Sequence, residues 1–222
     1  MRRLTGAAFV SLDGVMQAPG GPTEDPTGGF ANGGWVFGVW DPVVETALGE
    51  VFTPPYDLLL GRRTYDIFAA HWPYVTGDEA GMGQALTAAT KHVVTRHDDP
   101  LPWANSRRLA GTDAVGTLKE SDGPDLLIQG SSTLYPPLLA AGLIDRLILM
   151  TFPVVLGRGK RLFGDGTPPG ALRLTGHAVG EHGVTVGHYA IAGAVRTGTP
   201  PDLPPPSDRE RARQRAMAEG SW

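Results

Sequence analysis

The chain has 222 residues, 41% of them hydrophobic, which fits one domain with a sizeable core. Nineteen Lys and Arg against 23 Asp and Glu give a formal charge of −4, so composition points to neither nucleic acid nor an anionic membrane as a partner. The absence of cysteine excludes disulfides, a thiolate nucleophile and a Cys-ligated metal. No apolar run approaches a membrane span. The basic start, Met1-Arg2-Arg3, leads into an apolar stretch broken at Ser11, Asp13 and Gly14, too short for a signal peptide, so a cytoplasmic protein is expected.

In chain order, residues 4–12 read as a strand ending at Asp13-Gly14. Gly6, Ala7 and Ala8 either leave room for something flat against the backbone or pack a central strand tightly. Residues 19–34 are rich in Gly, Pro, Thr and Asp and predict a long loop. Trp35, Phe37 and Trp40 follow it, placed to close over a pocket or to anchor the loop in the core. Asp41-Pro42 starts a helix with an N-cap residue and a first-turn proline, and Val44, Ala47, Leu48 and Val51 give it an apolar stripe. Glu45 in its first turn suits the helix dipole without any further role.

Two strand–glycine–helix turns come next. Leu58-Leu59-Leu60 runs into Gly61-Arg62-Arg63-Thr64, and Leu126-Leu127-Ile128-Gln129 into Gly130-Ser131-Ser132-Thr133. A helix start favours anions through its free N–H groups, and arginine adds a planar fork for phosphate, so the pair predicts dinucleotide binding. Between them, a helix over 78–90 precedes a strand at 91–96, with Thr95 and Arg96 at its carboxyl end, where open α/β sheets bind ligands. Residues 107–111 suggest a short strand and 112–120 an amphipathic helix. Residues 142–156 predict a long buried strand with an apolar surface available to a partner subunit. Leu172–Val179 and Val184–Ala192 predict a hairpin turning at Gly180–Gly183 and closing one sheet edge. Residues 1–195 are thus read as the domain and 196–222 as a Pro-rich linker and a charged tail with a helix capped by Ser207 or Asp208. No histidine spacing suggests a metal site.

Taken together, Ser11-Leu12-Asp13-Gly14, residues 59–65, Val94-Thr95-Arg96, Gln129-Gly130-Ser131-Ser132 and the 142–163 segment resemble the dihydrofolate reductase-like superfamily. The closer likeness is to its branch related to the reductase domain of bacterial riboflavin biosynthesis proteins. The resemblance implies a three-layer α/β/α sandwich with a mixed, mostly parallel sheet and a C-terminal β-hairpin, binding NADPH. It implies cofactor phosphate contacts at Gly61, Arg62, Arg63 and Thr64, with Thr95 and Arg96 on the 2′-phosphate. Gly130, Ser131, Ser132 and Thr133 would hold the pyrophosphate, and Ala7 and Ala8 would lie by the nicotinamide. Glu45, following Trp40, is implied as a buried carboxylate binding substrate, with Asp13 its rival. The implied reaction is hydride transfer to a pterin-, pyrimidine- or ribosylamine-type small molecule, as in 5-amino-6-(5-phosphoribosylamino)uracil reduction in riboflavin biosynthesis. A homodimer is also implied. The alternatives are a binding protein that retains the fold, and a flavin in place of NADPH. Two departures stand out: Ser131 replaces the family's second glycine and should crowd the pyrophosphate, and Pro136-Pro137 should delay or kink the helix that follows.

Overall fold

The apolar run after Arg3 forms β1 (Leu4–Ser11), seven of whose eight residues are buried. A computed structural model, describing residues 1–221, sets it inside an eight-stranded sheet. The other strands are β2 (Tyr56–Gly61), β3 (Lys91–Val94), β4 (Ser106–Leu109), β5 (Asp125–Gln129), β6 (Arg146–Phe152), β7 (Leu172–Val179) and β8 (Thr185–Ile191), in the order β4-β3-β2-β5-β1-β6-β8-β7. The first six in this order pair in parallel, and the β7–β8 hairpin is antiparallel to β6.

Helices cover both faces. From α1 (Pro42–Val51), α2 (Arg62–His71) and α3 (Ala80–Ala88), the residues Val44, Ala47, Tyr65 and Leu86 pack with Leu58, Leu60, Leu127 and Ile148. From α4 (Thr112–Glu120) and α5 (Tyr135–Ala140), Val115, Tyr135 and Leu138 pack with Leu4, Leu59, Leu126 and Ile128 on the other face. This is the expected α/β/α sandwich. Each leucine fully buried here contributes on the order of 1.5–3 kcal/mol.

Local chemistry explains the boundaries. Asp41 caps α1 by accepting from the Val43 N–H at 3.1 Å, and Pro42 occupies the first turn, where a missing N–H costs nothing. Pro136 and Pro137 do delay the last core helix: a turn closed by Leu134 N–H to Ser131 O at 2.8 Å comes first, and α5 starts only at Tyr135, with both prolines in its first turn. Gly6 answers the question raised by the small residues of β1. The Tyr135 ring lies against it, so close that a Cβ there would stand 2.6 Å from Cε1.

One expectation is corrected. The 142–156 segment shortens to β6, which lies between β1 and β8, where Leu147, Ile148, Met150 and Phe152 fill the two cores, and Val155 beyond the strand is exposed. Exposed apolar residues also lie on the sheet edge, at Leu174 and Val179 of β7. Past residue 195, a proline-rich stretch leads to α6 (Asp208–Ala218), capped by Ser207 and without a buried residue. No helix among the described residues is long and apolar enough to cross a membrane.

Candidate active site

The parallel strands present their carboxyl ends along one edge, and the turns singled out in the sequence leave from it. Gly61–Thr64 follows β2, Thr95-Arg96 follows β3, Gly130–Thr133 follows β5 and Asp13 follows β1. At this edge the sheet opens. β5 ends at Gln129, level with Ala7, while β1 runs on to Ser11 paired only with β6. Ala7 and Ala8, both buried, mark where the opening begins. The buried Tyr135 hydroxyl donates to the Ala7 carbonyl at 3.2 Å, and burial pushes that phenol far up, so it stays a donor.

The turns after β2 and β5 interlock. Gly130 (φ 80°) and Ser131 (φ 65°) both take the left-handed conformation. A Cβ on Gly130 would stand 3.0 Å from the Thr64 methyl, so that glycine permits the close approach. Ser131 adopts the glycine-like backbone at the place where it is expected to crowd the pyrophosphate. Its side chain turns inward, and its hydroxyl accepts from the Gly61 N–H at 2.8 Å. The first N–H groups of α2, which have no partner within the helix, remain available for an anion.

The cations divide into two kinds. Arg62 spends its guanidinium on Asp66, one turn on, with Nε 2.9 and 3.0 Å from the two carboxylate oxygens, and on the Asp99 carbonyl at 3.2 Å. Arg63 and Arg96 are exposed and make no hydrogen bond or ion pair among the described residues. Thr95 is buried, its hydroxyl accepting from the His97 N–H at 3.1 Å, which shapes the turn carrying Arg96. Ser132 is half-buried and Thr133 exposed on the β5 turn.

The two candidate acids differ. Asp13 is a clasp: its carboxylate accepts from the Ser11 hydroxyl at 2.6 Å and from the Leu156 and Gly157 N–H groups at 3.0 and 2.8 Å. The Ser11 bond foremost, against some burial, holds its carboxyl down to about 2, so it is an anion at neutral pH. Glu45 is not the buried carboxylate that was expected. It is exposed on α1, where Oε1 accepts from the Trp40 indole N–H at 3.2 Å. Its first-turn position points it away from the core stripe formed by Val44, Ala47 and Val51.

Beside Glu45 stands an aromatic wall that sequence reading found only in part. Trp40 meets Phe9 edge-on at 6.3 Å and Phe152 at 6.5 Å, while exposed Phe37 stacks on it at 5.9 Å. Trp35 is the loop anchor, buried against Phe152 with its indole N–H bonded to the Gln17 carbonyl at 2.8 Å. Phe9 and Phe152 were missed because nothing in a strand's own residues tells which neighbour it will meet. Also missed was Gln129, whose buried Oε1 has no hydrogen-bond partner among the described residues. A polar residue ending a buried run, just before Gly130, was the available signal. Among the described residues no group of His, Asp and Glu is arranged to hold a metal.

Comparison with known proteins agrees with this geometry. The uncharacterized protein YyaP of Bacillus subtilis is 26% identical over 174 residues, covering 74% of this chain and 81% of that protein. Among solved structures, a protein assigned by name to riboflavin biosynthesis, from Shewanella sp. PV-4, superposes with a TM-score of 0.64 at 19% identity, covering 86% of this chain and 99% of that one. Dihydrofolate reductase from Enterococcus faecalis, complexed with NADP(H), superposes with a TM-score of 0.52 at 16% identity, over 85% and 96% of the two chains. At such identities the structures establish the fold, shared with dihydrofolate reductase. The model of the RibD C-terminal domain matches residues 2–186, and the chain belongs to that family.

Proposed function

We propose that the protein is an NADPH-dependent reductase acting on a C=N or C=O of a pterin-, pyrimidine- or ribosylamine-type substrate. The observation that carries the reading is the opening beside β1, where β5 stops level with Ala7 at the edge bearing both glycine turns. The residues present fit the cofactor. Arg63 and Arg96 are unengaged cations suited to phosphate, the start of α2 offers free N–H groups, and the Gln129 Oε1 is a buried acceptor awaiting a donor such as a carboxamide. When bound, NADPH supplies the hydride.

The chain's own residues bind, orient and exclude water. Arg63, Arg96 and the Gly130–Thr133 turn hold the phosphates, and Ala7 and Ala8 leave space for the nicotinamide. On the substrate side, Phe9, Trp40 and Phe37 offer flat apolar surface to a planar ring, and Glu45 accepts hydrogen bonds from its N–H groups. Asp13 fits this task less well, because its carboxylate oxygens are occupied by Ser11, Leu156 and Gly157.

Titration with NADPH, followed by its fluorescence, tests the binding, and oxidation of NADPH with a panel of pterin and pyrimidine substrates tests the reaction. No fluorescence change at high micromolar NADPH defeats the proposal. The exposure of Glu45 favours a second reading, a nucleotide-binding protein without turnover. Oxidation of NADPH with any member of the panel would exclude it.

A further inference from the structure

The turn joining β7 to β8 is far from α1 in sequence but locked to it in space. The Asp41 carboxylate is buried, and besides capping α1 it accepts from the His182 N–H at 2.6 Å. Gly180 completes the fit: a Cβ there would stand 2.0–2.2 Å from the Asp41 carboxyl atoms, although its backbone would accept any residue. A backbone bond from Gly180 N–H to Val184 O at 2.8 Å closes the turn. These contacts join the hairpin to the helix without the His182 ring.

The His182 ring does something else. Its Nδ1 lies 2.6 Å from the Trp40 carbonyl oxygen, so Nδ1–H donates to the residue just before the α1 cap. Trp40 there is extended (φ −60°, ψ 144°), outside the helical ladder, and its carbonyl has no other donor holding it among the described residues. Its indole in turn bonds Glu45 and carries Phe37.

We propose that His182 is a positioning residue for the substrate side of the site: by fixing the Trp40 peptide it sets the indole, and through the indole the direction of the Glu45 carboxylate. The inference rests on the reading of Trp40 and Glu45 as the substrate side.

The test needs no ligand. In ¹H–¹⁵N spectra of the full chain, the Trp40 indole resonance is assigned by its loss in Trp40→Phe, and Glu45→Gln marks where it moves when its acceptor loses charge. His182→Ala and His182→Phe, the second keeping ring volume without a donor, are expected to displace this resonance. His182→Asn, whose side-chain N–H can stand in for Nδ1–H, is expected to restore it. Gly180→Ala, which pushes the turn off Asp41, is expected to displace it as well. An unmoved resonance in whichever of His182→Ala and His182→Phe folds, with only the thermal midpoint lowered, overturns the proposal. Failure of wild-type protein to bind NADPH would defeat the cofactor reading instead, whereas the ligand-free indole comparison judges His182 alone.

Discussion

The hydroxyl of Ser131 accepts from the Gly61 N–H at 2.8 Å, joining the carboxyl ends of β2 and β5 across 70 residues of sequence. Ser131 meets this role in a left-handed backbone (φ 65°) that favours glycine. Two substitutions separate the effects. Ser131→Ala keeps the strain and orphans a buried N–H, and is expected to cost about 1–3 kcal/mol in urea unfolding. Ser131→Gly loses the same bond but relieves the backbone, so its cost should be smaller by about 1 kcal/mol.

Arg96 and Arg63 are unengaged cations at the carboxyl edge of the sheet, where the cofactor is proposed to bind. Arg96→Ala is expected to weaken NADPH binding by roughly ten- to a hundredfold, the range of a lost charge-assisted hydrogen bond, while leaving NADH nearly unchanged. Arg63→Ala should weaken both, and Arg62→Ala should act mainly on stability, because its guanidinium is turned to Asp66 and Asp99. Titrations of the three variants with both nucleotides check this ordering.

These assignments show what the sequence discloses and what it withholds. Patterns repeating over a few residues were legible: the cap and proline of α1, the apolar run of β5, the hairpin of β7 and β8. So was the order of the turns, because a strand followed by glycine and a helix start puts its turn at the carboxyl edge. Engagement of side chains was harder. The Arg62–Asp66 pair lies four residues apart on one helix and was readable in principle, yet the arginine was assigned to phosphate. The inward turn of Ser131, the exposure of Glu45 and the hold of His182 on Trp40 depend on how distant segments meet, and no local pattern encodes that.

At the opposite end of the sheet, Arg2, Asp57 and His92 form a buried ionic group, with Asp57 paired to the Arg2 guanidinium and 3.2 Å from His92 Nε2. Burial alone would raise the Asp57 carboxyl, but Arg2 and His92 overcome this and hold it below 3.8. Burial lowers His92 below 6.5 against the pull of Asp57. Both folded values lie under their unfolded ones, so both contributions are present at neutral pH and are lost in acid: that of His92 as pH falls below 6.5, that of Asp57 as it falls below 3.8. Urea unfolding from pH 7.5 to 4 should show the His92 part of this fall, and measurements below pH 3.8 the Asp57 part. Asp57→Ala, which strands the buried guanidinium, should cost about 3–5 kcal/mol at pH 7.

Lys91 gives a dependence at the alkaline end. Its fully buried ammonium donates to the Leu86, Thr87 and Ala89 carbonyls at 3.1, 2.7 and 2.8 Å, closing the end of α3, and sits 4.3 Å from the Trp103 ring centre. Burial lowers it from 10.5 to about 8. Between those values the unfolded chain binds more protons, so stability should rise from pH 8 to pH 10. Lys91→Met is expected to flatten that rise and, by leaving carbonyls unpaired, to cost about 1–3 kcal/mol at pH 7.

The lock between Asp41 and the β7–β8 turn also bears on how the chain emerges from the ribosome. Synthesis runs from the amino end, and a domain generally folds as a unit. Helix α1, with Trp40 and Glu45, is made early, but the turn that seats it comes 141 residues later. Strands β1 to β5, with both glycine turns and Arg96, exist well before that point. The residues proposed for the nucleotide side are therefore all synthesised while those proposed for the substrate side still await their last hairpin. A nascent chain stalled before residue 172 would carry the residues proposed for the nucleotide edge but lack the turn that bonds Trp40.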